Sequence, residues 1–272
     1  MKLDFKRILI YVILIFCAIL TILPLWTGIL TAFKSNRDLI LTSPLELPLS
    51  PTLTPLMEAF GSMGVPLVNS LIFTIIATIL SCLIGSITGY VLALHRFKGS
   101  NTVFMLIIVG IFIPYQAILV PLVLIMRSLD LSNTLGGLIL THTAYGIPIC
   151  TLLFRSFYDE IPKSLIMAAK VDGAGIWGTY RRIILPLSVL PFIVAIVFQF
   201  TNIWNDFLFG LVIARSGFTP ASVALSNLTS SLDAAWNRQM AGTFLYILPS
   251  LIVYLLLGKY LIRGFMTGAV KG

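Results

Sequence analysis

Again and again the chain runs for more than 20 residues without a charge. ILIYVILIFCAILTILPLWTGILTAF (8–33) and LVNSLIFTIIATILSCLIGSITGYVLAL (67–94) are the longest such stretches near the N-terminus. About 20 apolar residues are enough to carry a helix across a bilayer core. Inside lipid every backbone N–H and C=O must find a partner within the protein, which leaves helices or a closed barrel. A barrel would alternate apolar and polar residues in strands of about ten, and this chain does not alternate. The rest of the composition agrees: 58% of residues are hydrophobic and 10% charged, where soluble domains carry about 25% charged residues. The sequence therefore predicts an all-α membrane protein.

Six apolar runs stand out, at roughly 8–32, 67–94, 103–126, 135–156, 187–211 and 242–262. Six spans with the N-terminus inside put thirteen of the eighteen Lys and Arg residues in cytoplasmic segments, among them Lys98, Lys170 and Lys271. Lys34, Arg37, Arg127, Arg215 and Arg238 fall outside. That asymmetry favours an N-in/C-in arrangement. The formal charge of +8 is then membrane topology, and no nucleic-acid partner is expected. The first run continues to about Thr31 without a small-residue cleavage site, so it reads as an uncleaved span. Cys17, Cys82 and Cys150 all lie inside apolar runs with no CxxC pair or Cys/His cluster, and no metal site is expected. The chain divides into 1–66 (first helix and outside loop), 67–262 (a core of five spans) and 263–272 (a cytoplasmic tail).

Three segments lie between the spans. Lys34 to Pro66, containing TSPLELPLSPTLTP, reads as an extended outside loop. The stretch from Ser216 to Met240 offers a second outside surface. The third is MAAKVDGAGIWGTYRRIILP (167–186), cytoplasmic in this topology. Pro162 suits a helix's first turn. SLIMAAKVD then reads as a short helix, within about 163–173, whose Leu165, Ala168, Ala169 and Asp172 share a face. Gly173 is placed to end it in a left-handed conformation. With Ala174 beyond it, the low relief would let another surface close over the backbone. The same residues also fit a surface helix with Arg181 and Arg182 at anionic headgroups.

This stretch resembles the EAA loop of ABC-importer permeases, whose pattern is E-A-A, three residues, G, nine residues, I-x-L-P. Ala168, Ala169 and Gly173 match, as do Ile183, Leu185 and Pro186, and Asp172-Gly173-Ala174 is the usual D-G-A. WNDFLFGLVIA (204–214), GKYLIRGFMTGAVKG (258–272) and LTAFKS (30–35) resemble further runs of the carbohydrate-uptake, maltose-transporter-type subfamily. The chain is similar to its six-span subunit with the short N-terminus. One departure is Met167, which stands where the family has Glu; docking here would then rest on apolar contact and backbone hydrogen bonds.

The resemblance implies an ABC-importer permease (MetI-like) fold in the cell's inner or plasma membrane, crossing it several times. It implies a non-enzymatic subunit forming half of a sugar pathway, with a second homologous permease supplying the other half. A dimeric cytoplasmic ABC ATPase would hold ATP and Mg; this chain has no GxxxxGK[ST] sequence and no cofactor is expected in it. An extracytoplasmic sugar-binding protein would deliver substrate. Leu165, Met167, Ala168, Ala169, Asp172, Gly173 and Ala174 would couple to the ATPase. For the pathway, Gln199, Asn202 and Asn205 recur at three-residue steps on one face of the fifth span, with Trp204 beside them. Tyr115 and Gln116 form a second set. Polar groups in a span face protein or water, so helix-to-helix hydrogen bonding is the competing role. His142 reads as a packed polar residue. Asp206, about 30 Å from Pro186 at 1.5 Å per residue, reads as a gate or interface residue near the helix's outer end. The alternative function is an ion-coupled secondary transporter, which would normally carry midspan charges and inverted repeats. A membrane-anchored enzyme would need a convergent catalytic set. VALSNL and MTGAVKG look closest to permeases for glucose, trehalose or glucosyl compounds.

Overall fold

The computed structural model describes the backbone of residues 5–214, 218–230 and 236–269, and among these every regular element is helical. Lys271, Arg215 and part of the second outside segment lie outside the described residues. Four helices are long and apolar enough to cross a membrane: α1 (Phe5–Ala32), α3 (Thr54–Leu94), α6 (Leu135–Asp159) and α13 (Trp236–Ala269). Two more apolar stretches are broken. In the first, α4 (Ser100–Phe112) meets a 3-10 turn (Tyr115–Ile118) and α5 (Leu119–Ser128) at 91°. In the second, α8 (Ile176–Thr179), a π turn (Tyr180–Ile184) and α9 (Leu185–Leu187) meet α10 (Val189–Trp204) at 75°. The straight runs expected at 103–126 and 187–211 are therefore bent pieces. At the first break Pro114 forces Ile113 into an extended conformation (φ −77°, ψ 115°). At the second, Ser188 sits at φ −90°, ψ 11°.

Residues 1–66 and 224–248 make one compact unit, and 67–223 with 249–272 make another. In the first unit α1 leaves its apolar side chains exposed, as lipid or a partner requires. The expected loop from Lys34 to Pro66 is only partly a loop. Ser35 caps α2 (Asn36–Leu41) by accepting the Asp38 N–H at 3.1 Å. The helix α3 already starts at Thr54 and runs straight through Pro66. Asn237 Nδ2 donates to the Lys34 carbonyl at 2.8 Å and to Asn36 Oδ1 at 3.0 Å, securing this region.

The second unit is built around the close approach of α3 and α6. Ser81, Gly85 and Gly89 recur every fourth residue on α3. A methyl on Gly85 would come within 2.9 Å of the Cys150 carbonyl carbon, and one on Gly89 within 2.8 Å of the Arg155 nitrogen. Without a hydrophobic force between helices in lipid, small residues let backbones touch and gain dispersion contact. Around this seam Tyr90, Phe154, Tyr158, Ile166, Tyr180 and Ile184 form one buried cluster. Phe73, Met126, Leu138, Ile203, Phe209 and Ile213 form another.

Candidate functional site

The short helix α7 (Lys163–Val171) follows Pro162. It ends in a double hydrogen bond: Gly173 N–H donates to Lys170 O at 3.1 Å and Ala174 N–H to Ala169 O at 2.8 Å. This is a Schellman closure, and it needs a left-handed residue at Gly173, whose φ is +77°. The helix divides its residues differently from the expected single face. Ile166 and Ala169 are buried against this chain, while Leu165, Ala168 and Asp172 are exposed. Beside them Met167 is 61% and Val171 87% exposed, and Ile176 and Trp177 continue the apolar surface. Neither Val171 nor Trp177 stood out in the sequence. Their signal is apolar side chains in a polar connector, which propensity reasoning assigns to a core.

The inner partner of this segment is the end of α3. Tyr90 Oη donates to Ile176 O at 2.8 Å, so its contact with His95 Nε2 at 2.7 Å requires His95 to donate. Burial, and then the charge of Lys170, hold His95 below its ordinary pKa of 6.5. Arg96 pairs with Asp159 at 2.9 Å, and Arg155 lies 3.7 Å above the Phe104 ring. These basic residues thus have protein partners. Arg181 and Arg182 are exposed on the π turn.

The first break and the far end of α10 line a cavity of about 480 Å³. Gln199, Asn202 and Asn205 all line it, with Tyr115 across from them. Gln116 is exposed outside the lining, and Trp204 is 2% exposed, stacked on Phe200 at 5.9 Å. Trp204 stands one residue before Asn205, about 100° around the helix from it, so it packs rather than lines. Tyr145, missed in the sequence reading, also lines the cavity; its hydroxyl donates to Ile113 O at 2.8 Å, the carbonyl freed by the Pro114 break. The signal was THTAYG, a polar run inside a span. The rings of Tyr115, Tyr145 and Phe209 lie 5.6–6.3 Å apart and give the cavity aromatic walls. Gly146 lets Gln199 pack tightly on α6, since a methyl there would overlap the amide.

Asp206 is not at the far end of a long helix. The helix α10 stops at Trp204, because Asp206 turns to accept the Phe209 and Gly210 N–H groups at 3.5 and 3.2 Å and starts α11 (Leu208–Ile213). His142 is buried, stacked on Phe73, with Nε2 lying 3.7 Å from Asp206 Oδ2. It is a packed polar residue at the cavity wall.

Apolar helices around a polar, aromatic-walled cavity at the Pro114 break, with a capped connector outside the spans, fit a membrane transport subunit. The comparisons sharpen that class. Residues 81–265 match the family model described as the binding-protein-dependent transport system inner membrane component. A probable ABC transporter permease protein of Pyrococcus horikoshii is 52% identical over 268 residues, 98% of each chain. A xylose/arabinose import permease protein of Haloferax volcanii is 35% identical over 292 residues, covering 98% of this chain and 94% of the relative. Among solved structures, a bacterial ABC transporter importing the acidic polysaccharide alginate superposes with a TM-score of 0.82. It has 18% identity and covers 96% of this chain and 99% of its own, a likeness of fold. The chain belongs to the binding-protein-dependent transport system inner membrane component family: it is a multi-pass membrane permease subunit of an ABC transporter.

Proposed function

We propose that this permease forms half of the pathway of an ATP-driven importer of a neutral sugar. In this reading each bent pair counts as one span, giving six spans with both termini cytoplasmic, as the Lys/Arg asymmetry favours. The helix α7 lies in a groove of a dimeric cytoplasmic ATPase, which holds ATP and Mg. A second permease closes the pathway, lipid surrounds both, and an external binding protein hands over the sugar. Exposed Leu165, Met167 and Val171 offer the ATPase an apolar contact where the family's Glu is missing. Ala168, Asp172, Gly173 and Ala174 keep the surface low and closed, while Ala169 fixes α7 to its own chain.

The observation that carries the sugar reading is the convergence of Gln199, Asn202, Asn205, Tyr115 and Tyr145 on one cavity. Amides and aromatic faces are what hydroxyl-rich rings bind in a mostly apolar site. The lining holds no Lys or Arg, which suits a neutral substrate. The Haloferax relative, named for xylose and arabinose, adds pentoses to the glucose and trehalose classes suggested by the sequence. The test is uptake of labelled glucose, trehalose, xylose and arabinose into vesicles holding the whole transporter and its binding protein. ATP-dependent uptake of one of them supports the reading. Uptake that needs an ion gradient and no ATP would refute it.

A further inference from the structure

The bend between α9 and α10 is held by a buried cluster of hydroxyls that neither the cavity nor the α7 surface uses. Ser188 is the residue at the bend, and its side chain is fully buried. Its hydroxyl donates toward Tyr158 Oη on α6 at 3.0 Å and also lies against Ile184 O, one turn back on its own segment. A serine has one proton for these two acceptors. Tyr158 Oη continues to Ser86 Oγ on α3 at 2.7 Å, and Ser86 Oγ to Tyr180 Oη in the π turn at 2.9 Å. All four side chains are at most 3% exposed. The cluster therefore ties α3 and α6 to the π turn before the 75° bend and to the residue at the bend itself.

Three further features set the bend apart from regular helix. The π turn at Tyr180–Ile184 widens the helix, a local departure often found at functional positions. Ser188, at φ −90° and ψ 11°, interrupts the helix between α9 and α10. And the Ser188 hydroxyl contacts Tyr158 Oη and Ile184 O at the same time, bridging α6 and its own segment. When the Ser188 proton serves Ile184, the Ser188 oxygen can still accept from the Tyr158 hydroxyl, so the tie from the bend to α6 holds with either hydroxyl as donor. Upstream of the bend lies α7, and downstream α10 carries Gln199, Asn202 and Asn205 to the cavity.

We propose that Ser86, Tyr158, Tyr180 and Ser188 are positioning residues that hold the α9–α10 bend and so set how tightly ATP hydrolysis is tied to movement of the pathway. This rests on the reading of α7 as the ATPase contact. Coupling travels through packed side chains and hydrogen-bond networks that join rigid elements, and this cluster joins α3, α6 and the bend between α7 and α10.

The test uses the complete permease–ATPase complex in liposomes and measures ATP hydrolysis per complex without any sugar. Tyr158→Phe keeps the ring in the core and removes only the hydroxyl; Ser86 retains Tyr180 and Ser188 retains Ile184. Basal hydrolysis should rise about fivefold, the factor corresponding to one net buried hydrogen bond of about 1 kcal/mol, with ATPase attachment unchanged. Ser188→Ala should do the same. Ser156→Ala, on an exposed serine bonded to its own helix at Leu152 O, should leave the rate as it was. A cluster that serves packing alone would lower the melting temperature and leave the rate per complex unaltered. Basal rates within twofold of wild type in both Tyr158→Phe and Ser188→Ala would overturn the proposal. Loss of the ATPase from the wild-type complex would instead overturn the α7 reading beneath it.

Discussion

Gly173→Val asks whether the end of α7 matters for coupling. A methyl at Gly173 meets nothing within 4 Å, so the substitution creates no clash inside this chain. Its cost is conformational. At φ +77° a residue with a Cβ loses about 1–2 kcal/mol relative to glycine, and branching at Cβ increases the penalty. The chain can avoid it only by opening the turn, which gives up the Gly173–Lys170 and Ala174–Ala169 bonds, each worth about 1 kcal/mol net. Either route reduces the closed form of α7 by roughly 5- to 30-fold. The assay is the affinity of the purified ATPase for the permease in detergent or nanodiscs, with substrate-stimulated hydrolysis in liposomes. Affinity and coupled hydrolysis should fall by that order while the spans remain inserted. Gly173→Asn, which visits left-handed conformations at little cost, should lie near wild type. Wild-type affinity and coupling in Gly173→Val would show that α7 is a plain surface helix.

Gly146→Val should push into Gln199 and Ser81 and destabilise the second unit by about 1–3 kcal/mol, seen as a lower melting temperature and weaker uptake. Asn202→Leu should leave assembly intact but cut sugar flux; unchanged transport kinetics in Leu variants of Gln199, Asn202 and Asn205 together would make that face packing. His95 has a folded pKa below its unfolded value near 6.5, so the unfolded form takes up the proton first. The stability that His95 contributes to this end of the chain is present above pH 6.5 and is lost as pH falls through the window beneath it. Hydrogen-exchange protection across 163–179, taken relative to the intrinsic exchange rate at each pH, should fall on acidification through that window, and His95→Gln should abolish the change.

What the sequence disclosed follows from which signals are local. Gly173 was legible because a left-handed helix end needs a residue without a Cβ, and the amide face of α10 was legible because a three-residue step is a helical step. The breaks were not, because an apolar run hides them. Pro114 sits within uninterrupted hydrophobic sequence, and the 91° turn there is satisfied by Tyr145, a residue 32 positions along the chain from Ile113. Asp206 looked like part of a long helix because its role as the cap of α11 depends on two N–H groups that exist only after the helix has broken. Ala169 was placed on a working face by spacing and by the resemblance, and Trp204 by its position beside the amides; both are buried. The small-residue seam of Ser81, Gly85 and Gly89 was not singled out in the sequence, because its helix contact depends on the approach of α6.

The central claim is that α7 touches a cytoplasmic ATPase. Val171, at 87% exposure, is the place to test it directly. In a chain whose exposed Cys17 is replaced by serine, Val171→Cys is treated in native membranes with a short bifunctional thiol reagent and separated by mass. The account predicts a single cross-linked product of permease and ATPase that changes in yield with nucleotide. No such product, together with labelling of the Val171→Cys thiol by an impermeant reagent added outside intact cells, would contradict it.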